Sequence, residues 1–521
     1  MQKLSVHFLA LIVFLNIPTS NPIPPPREAL NAISATDIRQ HIDFLASDSL
    51  KGRNTPSPEL DLAAEYIAGE FKSYGLKPVN GSYFNDFNLS IVRLGKNNGL
   101  TITTGGTERS YEIKKDFMPY DMTASKAVNA SLVFAGYGIT APEYGYDDYA
   151  SLDVTGKVVL VMRHEPGERD PTSPFDGDKD TDYSQVSTKV QNAIDHGAAG
   201  MLVITDPLNH RSLVPRGFPW PSLYEGIPDE ALPLTLALTE KEKIPVVQVG
   251  ETVIQQILGS LDTLRSWQQH IDRTRQPKSV MLPQVQVSMQ TTTERTLQPT
   301  RNVVGLVEGS DPKLKNQFVV IGAHYDHVGY LKQHQEGEDY IFNGADDNAS
   351  GTCAMLAITK AFGIAKQRPK RSVLLMAFAG EEKGLFGSRA YVEQPLFPLE
   401  NTVAMLNLDM VGRNAPDSVS IGGLTRSPDL IKINEEENRE VGMILDYSIE
   451  RDFNRSDQYN FARKKIPFLF YHTGLHQDYH RVSDNPDRIN EHKIARIATL
   501  AFRVAWRAAN TDQRFQYVEP K

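Results

Sequence analysis

The chain has 521 residues, 40% hydrophobic and 23% charged, and 55 Lys and Arg against 64 Asp and Glu leave a formal charge of −9. That length exceeds one ordinary core and predicts two or three domains, while the acidic balance argues against nucleic acid or an anionic membrane as partner. A single cysteine, Cys353, excludes an intramolecular disulfide and any CxxC metal site.

Lys3 precedes an apolar run from Phe8 to Leu15, followed by polar residues and prolines. The run is too short to span a bilayer and matches the hydrophobic part of a secretory signal. Residues 1–20 are therefore expected to be a signal peptide, and export to a periplasm or the medium is expected, against an uncleaved anchor or a core helix as the alternatives. No other segment approaches transmembrane length, so no stable membrane partner is expected. TDIRQHIDFLAS and LDLAAEYIAGEFKSYGL then show apolar residues at helical spacing. From about Ser131 the texture changes to short β-rich runs, SLVFAGYGI, KVVLVMRHE and AGMLVITD, with VQNAIDHGAAG as a helix closing in glycines. IPVVQVGETVIQQILG reads as a strand and a helix, and residues 263–279 as a polar stretch. Residues 120–285 are expected to form a separate α/β or β-rich domain, inserted between 21–119 and 286–511.

From Thr300 strand and helix alternate. FVVIGAH, RSVLLMAFAG, TVAMLNLD and IPFLFYH read as strands. ASGTCAMLAITKAF, KGLFGSRAYVEQ, SPDLIKINEEENREVG and HKIARIATLAFRVAWRAAN read as helices. The pattern predicts an α/β fold, a mostly parallel mixed sheet sandwiched by helices. In such sheets ligands gather at the carboxyl ends of strands.

Three of these strands run into chemistry-bearing residues. FVVIGAH leads to His324-Tyr325-Asp326, RSVLLMAFAG to Glu381-Glu382, and TVAMLNL to Asp409. Between the first two lies NGADDNASG at 343–351, where two aspartates sit in a tract of small residues. Each piece alone has a plain reading: a turn, a helix N-cap or solvated acids. Together, at one edge of one sheet, they point to a metal site. Imidazole and carboxylate without thiolate suit Zn²⁺, with Mn²⁺ or Co²⁺ as substitutes. A second histidine is needed. His480 in DYHRVSDNPD offers it, with His472 and His476 as competitors. Cys353, in an apolar helical run, reads as a buried, inert thiol.

HYDHVG, GADDNASG, GEEKGLFGS, NLDMVG and YHRVSD, in that order, resemble the cocatalytic zinc exopeptidases of peptidase family M28. SDSLKGRNTPSPELDLAAEYI resembles the helical N-terminal part of the same domain. FAGYGI, GKVVLV, KVQNAIDHGAAGMLVI and IPVVQV resemble a protease-associated (PA) domain. The resemblance implies two Zn²⁺ per chain. One would be held by His324 and Asp409 and the other by Glu382 and His480, with Asp347 bridging them. It further implies Glu381 as general base for a metal-bridging water and Asp326 as the residue orienting His324, with Asp484 doing the same for His480. Asn348 stands where the family has Asp, at a position that is not a ligand, and its match to a glycosylation sequon is accidental. The implied activity is removal of N-terminal residues from peptides. Alternatives are a carboxypeptidase or dipeptidase on the same scaffold, with Arg413, Arg455 or Arg481 clamping a carboxylate. A one-zinc cyclase is disfavoured by the complete ligand set, and a non-catalytic receptor-like protein by that set together with Glu381. Asp457, in NRSDQYNF, would help place the substrate amine.

Overall fold

The computed structural model describes residues 23–519 apart from 178, 225–231, 233 and 238–242. The expected signal peptide lies outside the described residues. The chain divides into two compact units, one of Met1–Phe87 with Thr300–Lys521 and the other Asn88–Pro299. No helix among the described residues is long and apolar enough to cross a membrane.

In the first unit, helices α1 (Ala35–Leu45) and α2 (Pro58–Ser73) precede a long strand β1 (Thr293–Val307), which belongs to this unit from Thr300. The alternating part follows as β2 (Phe318–His324), α3 (Gly351–Ile364), β3 (Ser372–Phe378), α4 (Phe386–Glu393) and β4 (Thr402–Leu408). Then come β5 (Ser418–Gly422), α5 (Pro428–Asn438), β6 (Ile444–Asp446), β7 (Phe468–His472) and α6 (Glu491–Asn510). These strands lie in the order β1-β3-β2-β4-β7-β5-β6. The β3-β2-β4-β7 core and the β5-β6 pair are parallel, whereas β1 joins β3, and β5 joins β7, antiparallel. β2, β3, β4 and β7 are buried along their whole length, as strands covered on both faces must be.

Successive side chains of β2 feed two cores. Val319, Ile321 and Ala323 face one cluster with α1, α2, α3 and α6, and Phe318 and Val320 face a second with Tyr391 and Phe461. Gly322 is fixed by packing, because a Cβ there would come 2.4 Å from the Phe378 ring. α6 presents a stripe from Ile494 to Trp506 to the first core, where Phe502 meets Phe362 edge-on at 4.8 Å. Asn490 caps its start by accepting from the Lys493 N–H at 3.0 Å.

Cys353 lies fully buried among these apolar side chains, and burial raises its thiol pKa well above its ordinary value. Cys353→Ser is expected to cost about 1–3 kcal/mol of stability by burying a hydroxyl, with turnover unchanged. Denaturant titration beside a rate measurement checks this. A thiol reagent that inactivates the native wild type stoichiometrically but spares the serine variant would contradict the reading.

The second unit centres on an eight-stranded sheet. Strands Lys126–Ala135, Val158–Met162, Gly200–Ile204 and Val246–Val249 run parallel through its middle. The expected segment 120–285 lies inside this unit. The sheet also takes Gly99–Thr104, Thr107–Tyr111 and Phe117–Pro119 from before residue 120, and Ser279–Thr291 runs past 285. The polar stretch 263–279 carries no assigned element in the sequence reading. Most of it belongs to helix Leu261–Thr274, which buries the narrow stripe Leu261, Leu264, Gln268 and Ile271.

Candidate active site

Sheet register brings the strand ends together. His324 ends β2 level with Phe378, and Gly322 pairs with Asn407, which sets Asp409 level with His324. His324 Nε2 lies 3.4 Å from Asp409 Oδ1, 3.4 Å from Asp347 Oδ1 and 3.9 Å from Glu381 Oε2. Beside this group stands a second. His480 Nε2 lies 3.0 Å from Glu382 Oε2 and 3.1 Å from Asp347 Oδ2. The two oxygens of Asp347 therefore face different imidazoles, one in each group. His327 joins the second group, with Nδ1 2.7 Å from Glu382 Oε1 and 3.9 Å from Asp347 Oδ2. Its only sequence signal was a histidine three residues after His324.

The acidic loop is held by its backbone and by Asn348. Asp484 accepts from the N–H groups of Asp346 (3.0 Å) and Asp347 (3.2 Å), so it fixes the loop and does not orient His480. Asp346 turns away from Asp347, accepting from the Gly412 N–H at 2.7 Å with His476 Nε2 3.1 Å from its other oxygen. The Asn348 amide donates to the Leu408 carbonyl at 3.0 Å and accepts from the N–H of Gly351 and of Met410. A carboxylate could not donate there, and with Asn348 fully buried its sequon cannot be glycosylated. Gly344 sits at φ +57, where a Cβ would lie 2.5 Å from the His327 ring. Only glycine permits that approach.

Arg53 anchors this loop from the far end of the chain. Its buried guanidinium donates to the carbonyls of Tyr325 (2.9 Å), Asn343 (2.8 Å), Gly344 (3.1 Å) and Leu45. Asp326 takes a different part from the expected one. Its carboxylate stands 3.7 Å from His324 Nδ1, whereas its backbone carbonyl is 3.2 Å away. The carboxylate accepts instead from the Thr55 hydroxyl at 2.9 Å and the Glu381 N–H at 3.2 Å. It thus sets the position of Glu381, and the carbonyl sets the His324 ring.

The charge pattern fits a cation. Burial opposes charge on His324, yet Glu381 and Asp409 overcome it and raise its pKa well above the usual value. Burial likewise opposes charge on His480, but Asp347 and Glu382 raise it to about 10. Asp347 is held well below its ordinary value despite burial, because His324 and His480 stabilise its charge. A dication in the same place would neutralise these carboxylates and take the imidazoles as neutral ligands. Among the described residues, Asp409 Oδ1 and His480 Nε2 are buried without a hydrogen bond of good geometry, as open ligand positions would be. Glu381 behaves differently. Burial raises its carboxyl well above the ordinary value, with His324 opposing and Glu382 adding to the shift. Both His480 and Met410 hold positive φ, 53° and 52°, a local strain common at functional sites.

Asp347, Glu381 and Asp409 open onto a cavity of about 330 Å³, also lined by Arg451, Asp452, Arg455, Phe470, His472 and Tyr479. His472 Nδ1 accepts from the Gly474 N–H at 2.7 Å, which leaves the proton of the neutral ring on Nε2. Burial lowers the His472 pKa and favours that neutral form. Of the arginines singled out from the sequence, Arg413 is committed elsewhere, donating to Asp478 at 2.7 Å with Asp484 3.8 Å away. Arg455 lines the cavity. Asp457 is fully buried beneath the site and does not line the cavity.

Residues 302–505 match the model of peptidase family M28 and residues 128–257 that of the PA domain. A probable glutamate carboxypeptidase of Arthroderma benhamiae is 29% identical over 41% of this chain and 28% of its own length. Aminopeptidase NAALADL1 of Rattus norvegicus is 26% identical over 44% of this chain and 34% of its own. The chain thus spans about a third or less of either relative. An aminopeptidase structure from Aneurinibacillus sp. strain AM-1 is 20% identical, covering 95% of this chain and 98% of that one, with a TM-score of 0.46. With the motif residues gathered at one sheet edge and both family models matched in the expected places, residues 302–505 form a peptidase family M28 domain and residues 128–257 a PA domain.

Proposed function

We propose that the protein is a two-zinc exopeptidase that removes N-terminal residues from peptides. The observation that carries this reading is the Asp347 carboxylate, with one oxygen 3.4 Å from His324 and the other 3.1 Å from His480. One ion would be held by His324, Asp409 and Asp347, and the other by His480, Glu382 and Asp347. Zinc at such a pair lowers the pKa of water and polarises the scissile carbonyl. Glu381, at the cavity wall and with its carboxyl raised by burial, accepts the proton of the attacking water. It then returns that proton to the leaving amine. Asp326 keeps Glu381 in place through the Glu381 N–H. His472 supplies a neutral donor in the cavity for a peptide carbonyl.

An exopeptidase must hold one chain terminus so that the scissile carbonyl meets the water. Carboxylates supplied by Glu381 and Asp452 at the cavity wall support recognition of a free ammonium. Because Arg451 and Arg455 line the same cavity, a second reading is a carboxypeptidase that clamps a terminal carboxylate. The matched relatives carry names of both kinds. One peptide in three forms separates the readings. Free peptide is expected to be cleaved, N-acetylation to abolish cleavage, and C-amidation to be tolerated. The reverse pattern would establish the carboxypeptidase, and Arg455, not Arg413, is then the residue to replace.

A further inference from the structure

A second set of donors lies in the other unit, on elements that the catalytic reading does not use. Parallel strands Val158–Met162 and Gly200–Ile204 pair in register up to Met162 with Ile204. Two residues beyond each strand stand His164 and Asp206, side by side at the carboxyl edge of that sheet. Four residues further on come Glu168 and His210. HEPGE and DPLNH thus each give the cluster one imidazole and one carboxylate from a short turn, in reciprocal order, while the further carboxylate of HEPGE, Glu165, accepts from Thr181. His164 Nδ1 is in close contact with Asp206 Oδ1 and 3.6 Å from Glu168 Oε2. His210 Nε2 is 3.0 Å from Glu168 Oε2 and 3.6 Å from Asp206 Oδ2. One donor atom from each of the four residues falls within 4.8 Å of the others.

We propose that His164, Glu168, Asp206 and His210 form a binding site for one divalent transition-metal ion of the zinc type in the PA-bearing unit. The Asp206 side chain is wholly buried, and among the described residues its Oδ2 has no hydrogen-bond partner. An anionic oxygen left that way is costly unless a cation faces it. The two imidazole rings stack at 4.2 Å with 21° between their planes, which aligns their nitrogens on the same carboxylates. The Asn209 amide donates to Glu168 Oε2 at 3.1 Å, and the Lys189 ammonium donates to the His164 backbone carbonyl at 2.6 Å. Supporting bonds of this kind hold ligands in position. Two nitrogens and two carboxylates without thiolate match a four-coordinate zinc site, whereas calcium and magnesium prefer all-oxygen shells. Glu168 and His210 retain partial exposure, at 16% and 26% of their side chains, so an ion can enter from solvent. Two carboxylates against two neutral imidazoles leave the charge that one dication balances.

Zinc stoichiometry of the full chain tests this independently of peptidase activity. The protein is stripped with a chelator, reloaded with Zn²⁺, dialysed and analysed for metal. Wild type is expected to hold three ions per chain. Asp347→Asn, which disables the catalytic donors, is expected to keep one. Adding either His210→Ala or Glu168→Gln to that chain is expected to remove it, with circular dichroism confirming that the fold persists. An Asp347→Asn chain that binds no zinc would overturn the proposal, as would a retained ion indifferent to both further substitutions. A wild-type count of one, lost with His210→Ala, would instead leave this site standing and remove the catalytic reading.

Discussion

Glu381→Gln lowers kcat for peptide hydrolysis by ~10²–10⁴ while metal content stays at the wild-type value, the loss expected on removing a general base. The amide is nearly isosteric, so the hydrogen bond from the Glu381 N–H to Asp326 and the packing of the cavity wall survive. The carboxylate that accepts and returns the proton does not. Glu382→Gln is the paired experiment, because Glu382 faces His327 at 2.7 Å and His480 at 3.0 Å, inside one group of donors. Its replacement lowers metal occupancy itself. Metal analysis beside steady-state kinetics of both variants decides the matter. If Glu381→Gln empties the site and Glu382→Gln does not, the roles of the two glutamates are exchanged.

Asp347→Asn produces a larger loss, because one residue serves both donor groups. An amide offers one carbonyl oxygen and no charge, so it cannot replace two anionic oxygens facing His324 and His480. Occupancy of both catalytic positions falls together, and hydrolysis falls by more than the ~10²–10⁴ attributed to the base. Excess zinc in the assay does not restore it. The hydrogen bonds from the loop N–H groups to the Asp484 carboxylate remain, so the variant stays folded. Zinc content and rate measured across a zinc titration provide the check. A variant that keeps both catalytic ions and turns over within tenfold of wild type contradicts the bridging role.

The parallel core was legible in the sequence because each of its strands is buried on both faces and reads as a continuous apolar run. The candidate site was legible because β2 and β4 run directly into His324 and Asp409, and β3 ends just before the Glu381-Glu382 pair. β5 and β6 were not legible. They are three to five residues long and only part-buried, so they carry neither an apolar run nor a clean alternation. Helix Leu261–Thr274 was missed because it buries a single narrow stripe in an otherwise polar segment. The parts played by Asp326, Asp484 and Arg53 depend on partners distant in sequence, and residue type alone does not choose among such partners. Asp484 illustrates this. Its place near His480 suggested a histidine partner, yet its oxygens meet N–H groups of a loop 137–138 residues earlier. Arg413 followed a motif closely enough to suggest substrate contact, but Asp478 had already engaged it.

The guanidinium of Arg53 also ties the site to the order in which the chain is made. Its acceptor at Asn343 follows 290 residues later, after the whole of Asn88–Pro299. At a synthesis rate of about 5–20 residues per second, the wait is about 15–60 s. Throughout that interval the apolar faces of α1 and α2 have no α3 or α6 to cover them, while the contiguous second unit acquires all its strands before the interval ends. The nascent chain is thus expected to mature from its middle outward, with the apolar faces of α1 and α2 left uncovered until α3 and α6 arrive. The catalytic loop then closes onto a side chain synthesised 290 residues before it.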